Sequence, residues 1–231
     1  MNSKRICFIS GLAAVAFALH PVQADVILGW EIQGEGATVV TTSYADTVIS
    51  DVLTGSAYNG LTRTGLTGAN AGNSYNSSGW NISNVHSQGN DYIGFQLAPD
   101  AGFELTLTTL QYVMNGSNTG PNNGRWGYSV GGGAFTLQDP FTITFALPGS
   151  LATWDFADIQ TTDSVEFRFW AYGATSINGV VSQSGGTARV GNIAGNDLVL
   201  NGTVAVVPEP GSLAMMGLGA LGLWAFARRR A

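Results

Sequence analysis

The chain has 231 residues, only 10% of them charged and 32 of them glycine, with a formal net charge of −6 at pH 7. Lys4, Arg5 and the run Arg228, Arg229, Arg230 supply five of the nine basic residues, so the long middle has four arginines and no lysine against fifteen acids. Such a surface repels nucleic acid and anionic headgroups, while a lone cysteine (Cys7) and two histidines (His20 and His86) exclude a disulfide framework and a histidine-cluster zinc site.

In chain order, Met1–Ala24 comes first. Lys4 and Arg5 precede an apolar stretch from Ile6 to Leu19, and Val22-Gln23-Ala24 places small residues where a leader is cut. This predicts a signal peptide, removed by signal peptidase to expose Asp25. Cys7 precedes the apolar stretch, out of place for a lipoprotein cysteine, and leaves with the leader.

Asp25–Val206 then reads as one all-β domain, because short alternating runs recur between Gly, Asn and Pro turns and no segment has helical spacing. Val26–Ile32, Ala37–Thr42, Val48–Leu53, Asp91–Leu97, Phe103–Asn115, Arg125–Val130, Phe141–Leu147, Val165–Tyr172 and Leu198–Val206 are the predicted strands. Roughly nine to eleven strands predict a two-sheet β-sandwich, jelly-roll-like in form. Asn70–Asn90, rich in Asn, Ser and Gly, is expected to be a surface loop, with Trp80 and His86 exposed in it.

Chemistry is sparse. In Val165–Tyr172, alternation sends Val165, Phe167, Phe169 and Ala171 to the core and Glu166, Arg168, Trp170 and Tyr172 to the other face. Two rings beside an acid and a guanidinium would suit glycan binding, with ring faces for stacking and polar groups for hydroxyls. The competing expectation is that a loop covers the two rings. Trp126 and Tyr128 share the two-residue spacing and raise the same question. Glu104, Glu166, Asp155 and Asp158 are the carboxylates from which a glycoside hydrolase pair would be drawn; Asp155 and Asp158 are expected in a turn. Asp91, Asp139, Asn196 and Asp197 carry the oxygens that Ca²⁺ prefers, and no other cofactor is expected. Gly217–Gly222 has the spacing of a dinucleotide fingerprint but follows no strand, so that reading is rejected. No catalytic residue is assigned, and the chain is expected not to be an enzyme.

The stretch 207–231 is the most specific. Pro208-Glu209-Pro210 precedes an uncharged run of 17 residues, Gly211–Ala227, and then Arg228, Arg229 and Arg230. As a helix, 211–227 would rise roughly 25 Å, just enough for a hydrocarbon core of ~30 Å. The arginines would hold its end in the cytoplasm. A transmembrane helix is therefore expected at 211–227.

These three parts together resemble the PEP-CTERM sorting signal of bacterial surface and exopolysaccharide-associated proteins. The resemblance implies that an exosortase-type transpeptidase recognises Pro208, Glu209 and Pro210, that 211–227 is a temporary anchor, and that the arginines retain it. It implies passage through the inner membrane to the envelope or an extracellular polysaccharide matrix. A second similarity to ectodomains of that family rests on Thr119–Asn123, Val165–Ser176, Gly185–Val190 and Asn201-Gly202-Thr203-Val204. Those relatives usually carry Asp-Asn where this chain has Gly191-Asn192. Three functions follow as expectations: a non-enzymatic sorted surface protein, a lectin-like glycan-binding module, and a secreted glycoside hydrolase or lyase.

Overall fold

The computed structural model describes residues 25–32, 47–48, 59–69, 74–146, 150–191, 193–207 and 228. The predicted leader, the predicted strand Ala37–Thr42 and the predicted membrane span lie outside them. The first strands are β1 (Asp25–Trp30), β2 (Thr47–Val48), β3 (Asn59–Thr64), β4 (Thr67–Gly68), β5 (Tyr75–Ser78) and β6 (Tyr92–Leu97). The middle holds β7 (Phe103–Tyr112), β8 (Met114–Gly116), β9 (Pro121–Val130), β10 (Thr136–Leu137) and β11 (Phe141–Thr142). The last are β12 (Ala152–Thr161), β13 (Val165–Ser176), β14 (Ala188–Val190) and β15 (Leu198–Val206).

One sheet runs β12-β7-β15-β1-β2, a second runs β10-β9-β13-β6-β3 with β11 also on β9, and a third runs β4-β5-β14-β8. The chain is all-β. The first two sheets pack face to face, as contacts between their rings show: Trp30 on Phe95 at 4.7 Å, Tyr112 on Trp126 at 5.8 Å and Tyr128 on Trp154 at 5.7 Å. Each such ring removes ~150–250 Å² from water, on the order of 4–6 kcal/mol before ordering entropy is subtracted. The third sheet adds Tyr75, Met114, Ala188 and Val190 to the same core. The first and last long strands, β1 and β15, lie side by side, and the chain passes between the two large sheets at β2–β3, β6–β7, β7–β9, β11–β12 and β12–β13, among other places. The all-β expectation holds, with a third sheet beside the two expected.

Three of the four segments that carry the ectodomain similarity converge, Asn201–Val204 lying apart on β15. Gln183 donates its N–H to the Thr119 carbonyl at 3.0 Å, Ser117 to Thr187 at 2.9 Å, and Pro121 is in register with Ser176. Gly120 and Gly186 sit where these backbones cross: a Cβ on Gly186 would lie 2.2 Å from the Thr119 carbonyl oxygen, and one on Gly120 would lie 2.3 Å from that of Thr187. Only glycine permits this approach.

Four expectations change. The chain from 152 to 161, read as a turn around Asp155 and Asp158, is the ten-residue strand β12. A register shift between Asp155 and Ile159 breaks its alternation, so Trp154 and Phe156 keep one spacing and Ile159 another. Of Phe141–Leu147, described as far as residue 146, only Phe141–Thr142 is a strand, and Phe145 is exposed. Tyr75–Ser78, inside the predicted loop, is a buried strand. Two of its polar groups are met from within, since Arg63 donates to Ser77 Oγ at 2.8 Å and to the Asn76 carbonyl at 2.9 Å, with its guanidinium 3.5 Å over the Tyr75 ring. Trp80, expected exposed, is buried edge-on against Phe169 at 5.6 Å and donates Nε1–H to the Ser77 carbonyl at 2.7 Å.

Candidate functional site

The strand β13 fixes the geometry. Val165, Phe167, Phe169 and Ala171 are all buried in the core, as alternation requires. Glu166, Arg168, Trp170 and Tyr172 take the opposite face, yet the two rings are not open: Trp170 is 1% exposed and Tyr172 is 7% exposed. The covering layer is residues 81–91. Trp170 donates Nε1–H to the Gly89 carbonyl at 3.3 Å, and the His86 ring meets Trp170 at 5.4 Å and Tyr172 at 5.2 Å, both edge-on.

Local turn chemistry shapes this cover. Asn81 Oδ1 accepts from Ser83 N–H at 3.0 Å, and its amide donates to the Val85 carbonyl at 3.1 Å, an Asx turn that a polar loop forms without tertiary help. The turn is tied down by Gly173 N–H to the Asn81 carbonyl at 3.2 Å and by Ala174 N–H to Asn84 Oδ1 at 2.9 Å.

Beside the cover lies a cavity of about 230 Å³ lined by Asn81, Ser87, Gly89, Asp91, Trp170, Ala171 and Tyr172. An amide, a hydroxyl, a carboxylate and two aromatic edges meet there, donors and acceptors that suit a small hydroxylated ligand. Arg168 is not free to join them. It makes a two-pronged ion pair with Glu166, Nε to Oε1 at 2.6 Å and the terminal nitrogen to Oε2 at 2.9 Å. Its guanidinium also lies 4.1 Å over Tyr92 and 4.6 Å over Phe135. Sequence reasoning missed Asn81, Ser87 and Gly89; the one signal was a lone histidine and a tryptophan inside an otherwise polar stretch.

His86 Nε2 is buried and has no hydrogen-bond partner. Burial pushes the His86 pKa down, and the positive charge of Arg125 pushes it further the same way. The folded chain therefore binds this proton less readily than the unfolded chain does. Stability from neutral His86 is complete above about pH 6.5, the unfolded value, and is lost as the pH falls from there towards the lowered folded value. Between about pH 7 and about pH 5, the thermal midpoint of the parent should fall further than that of His86→Gln, as read by circular dichroism. Parallel curves would mean that His86 takes up its proton over the same pH range in both states.

The remaining predicted residues do not join this site. Trp126 is fully buried between the sheets, and Tyr128 packs on Trp154, Phe156 and Phe167, so the pair faces the core and forms no glycan platform. The expected question is answered by parity: in β9 these two sit on the face that alternates with outward Arg125. Among the calcium candidates, Asp91 lines the cavity and Asp139 is exposed before β11. Asn196 lies over Gly29. Asp197 is fully buried with its oxygens committed, Oδ2 to Ile32 N–H and Oδ1 to Ile193 N–H, each at 2.8 Å. Among the described residues no three His, Cys, Asp or Glu side chains gather as a metal-holding group. Glu104 accepts from Gln160 at 2.6 Å on β7, whereas Glu166 belongs to β13 of the other large sheet. Asp155 and Asp158 are exposed on β12.

The region after β15 is decided by comparison. A family model described as a PEP-CTERM protein-sorting motif matches residues 206–230. The chain carries a PEP-CTERM sorting motif. That motif marks a surface protein handled by an exosortase-type enzyme, exported with a membrane-anchored sorting signal behind its folded domain. Comparison of the chain with curated proteins and with solved structures finds no match. The sorting motif starts on the last residue of β15, Val206, and Val207 N–H still donates to the Gly102 carbonyl at 2.8 Å. Pro208, Glu209, Pro210, Arg229 and Arg230 lie outside the described residues; Arg228 is described and exposed. Among the described residues no helix is long and apolar enough to cross a membrane.

Proposed function

We propose that this is a non-enzymatic protein of the cell surface or extracellular matrix, whose sandwich is the cargo and whose sorting motif is the address. The observation that carries the reading is the motif at 206–230, directly behind the last strand of a folded domain. In this reading signal peptidase removes Met1–Ala24. The span 211–227 then holds the domain at the inner membrane with its arginines on the cytoplasmic side, and the transpeptidase acts at Pro208-Glu209-Pro210.

The test exploits the tripeptide. Prolines hold an extended segment that a protease cleft admits, and Glu209 adds a charge at the membrane surface. In a host carrying the transpeptidase, the parent should lose its tail, while a variant with Pro208, Glu209 and Pro210 all changed to alanine should keep it and accumulate in the membrane. Mass spectrometry of the exported protein reads the difference. Equal retention in both would reduce the tail to a plain anchor.

The cavity under residues 81–91 favours a second reading, a lectin-like module for one sugar residue of an extracellular polysaccharide. Asn81, Ser87 and Asp91 would take hydroxyls and the edges of Trp170 and Tyr172 the apolar ring face. A glycan array on the exported protein, with and without Ca²⁺, tests it; binding unchanged by Asp91→Ala and Asn81→Ala would remove this cavity from consideration.

A further inference from the structure

Resting on the sorting reading, the inference concerns how the transpeptidase reaches its substrate. Among the described residues Val207 is the last of the sandwich to make a hydrogen bond, and the tripeptide begins at Pro208. The three residues Pro208–Pro210, even if fully extended, would span at most ~10 Å. They separate the folded domain from the expected start of the membrane span at Gly211. An enzyme that grips extended chain on both sides of its cleavage point cannot seat itself in that gap.

The end of β15 offers the missing length. On one edge β15 pairs with β1 from Trp30–Leu198 to Asp25–Gly202. Beyond Gly202 the described residues bonded to it are those of β7 alone, through Thr203–Thr106, Val204–Leu105, Ala205–Glu104 and Val206–Phe103. The register shifts between Asn201 and Gly202, so the ladder is interrupted where the second partner is lost. Burial changes at the same place. Leu198 and Leu200 are fully buried, whereas Val204 is only partly buried against the core, Ala205 is exposed and Val206 is 67% exposed. A strand end held on one side with little apolar surface to lose opens before the rest of the fold.

We propose that residues 203–207 peel from β7 to deliver the tripeptide to the transpeptidase, with the bulge at 201–202 as the stop. Five residues add up to ~17 Å of extended chain, and the doubly paired part of β15 stays in place. The partner is the membrane-embedded transpeptidase, and this end of the sandwich, with the turn at Asp100–Gly102, is the face turned towards it.

The test locks the strand end. Glu104 and Ala205 are directly opposite on the outward face, at the Cα separation of ~4.5–5.5 Å shared by antiparallel pairs and disulfides. No native cysteine interferes once the leader carrying Cys7 is gone. The double variant Glu104→Cys/Ala205→Cys, oxidised on export, should lose processing in a host where the parent is processed. Each single variant, and the double variant under reductant, should be processed as the parent. Inserting about six Gly/Ser residues after Val207 in the locked variant should restore processing, because the insert supplies the reach that peeling would have given. Tail loss from the oxidised variant at the parental rate overturns the inference alone. So does a locked variant that the insert fails to rescue. Tail retention by the parent itself overturns the sorting reading, and this inference with it.

Discussion

Asp197→Ala should lower the stability of the sandwich by about 3–6 kcal/mol, since each hydrogen bond to a charged group contributes about 1.5–3 kcal/mol. The side chain is fully buried, and its two oxygens accept N–H groups from Ile32, 165 residues away, and from Ile193. Its backbone adds two more ties, N–H to the Trp30 carbonyl at 2.7 Å and carbonyl from Val113 N–H at 2.8 Å. Alanine keeps those and loses the first two, leaving two backbone donors without their acceptor beneath β1. Asp197→Asn should fall between, because one carbonyl oxygen survives and an amide replaces the other. Urea midpoints of the three proteins check the order. An alanine variant as stable as the parent would mean that water reaches both N–H groups.

Two of the buried tryptophans, Trp126 and Trp170, should separate in the same experiment. Truncation of a large buried aromatic costs ~3–5 kcal/mol, depending on how far the site can collapse. Trp126 touches Phe95 at 6.5 Å, Tyr112 at 5.8 Å and Phe169 at 5.3 Å from both sheets, so the void left by Trp126→Ala cannot close or fill. Its cost belongs at the upper end. Trp170 adjoins the cavity of about 230 Å³ and lies under a covering loop, so water or the loop can enter the space. Trp170→Ala belongs at the lower end. Trp126→Phe should be milder than either, because the indole Nε1 it removes is buried and has no hydrogen-bond partner. Equal losses for Trp126→Ala and Trp170→Ala would mean that the cover is as rigid as the core.

The sequence by itself determined what depends on order along the chain. β13 and β15 were legible because period-two alternation reports which face each side chain takes, and Leu198–Val206 has the same bounds in sequence and structure. The sorting motif was legible for a related reason: a tripeptide, an apolar length and a cluster of charge act as a linear signal and need no fold to be read. Tertiary structure decided whether a face is covered, which alternation does not encode. Trp170 faces outward from its sheet and is still buried, because residues 81–91 come back over it with Gly89 as hydrogen-bond partner 81 positions away. β12 escaped notice because a bulge shifts its phase, and β5 because Arg63 satisfies polar groups that a loop would have turned to water. Asp197 read as a turn residue or a calcium ligand, and its partner Ile32, just after β1, stands 165 positions away in the chain. A carboxylate is the same in water, on a cation or beneath a strand, and only the chain that closes around it determines which of these it meets.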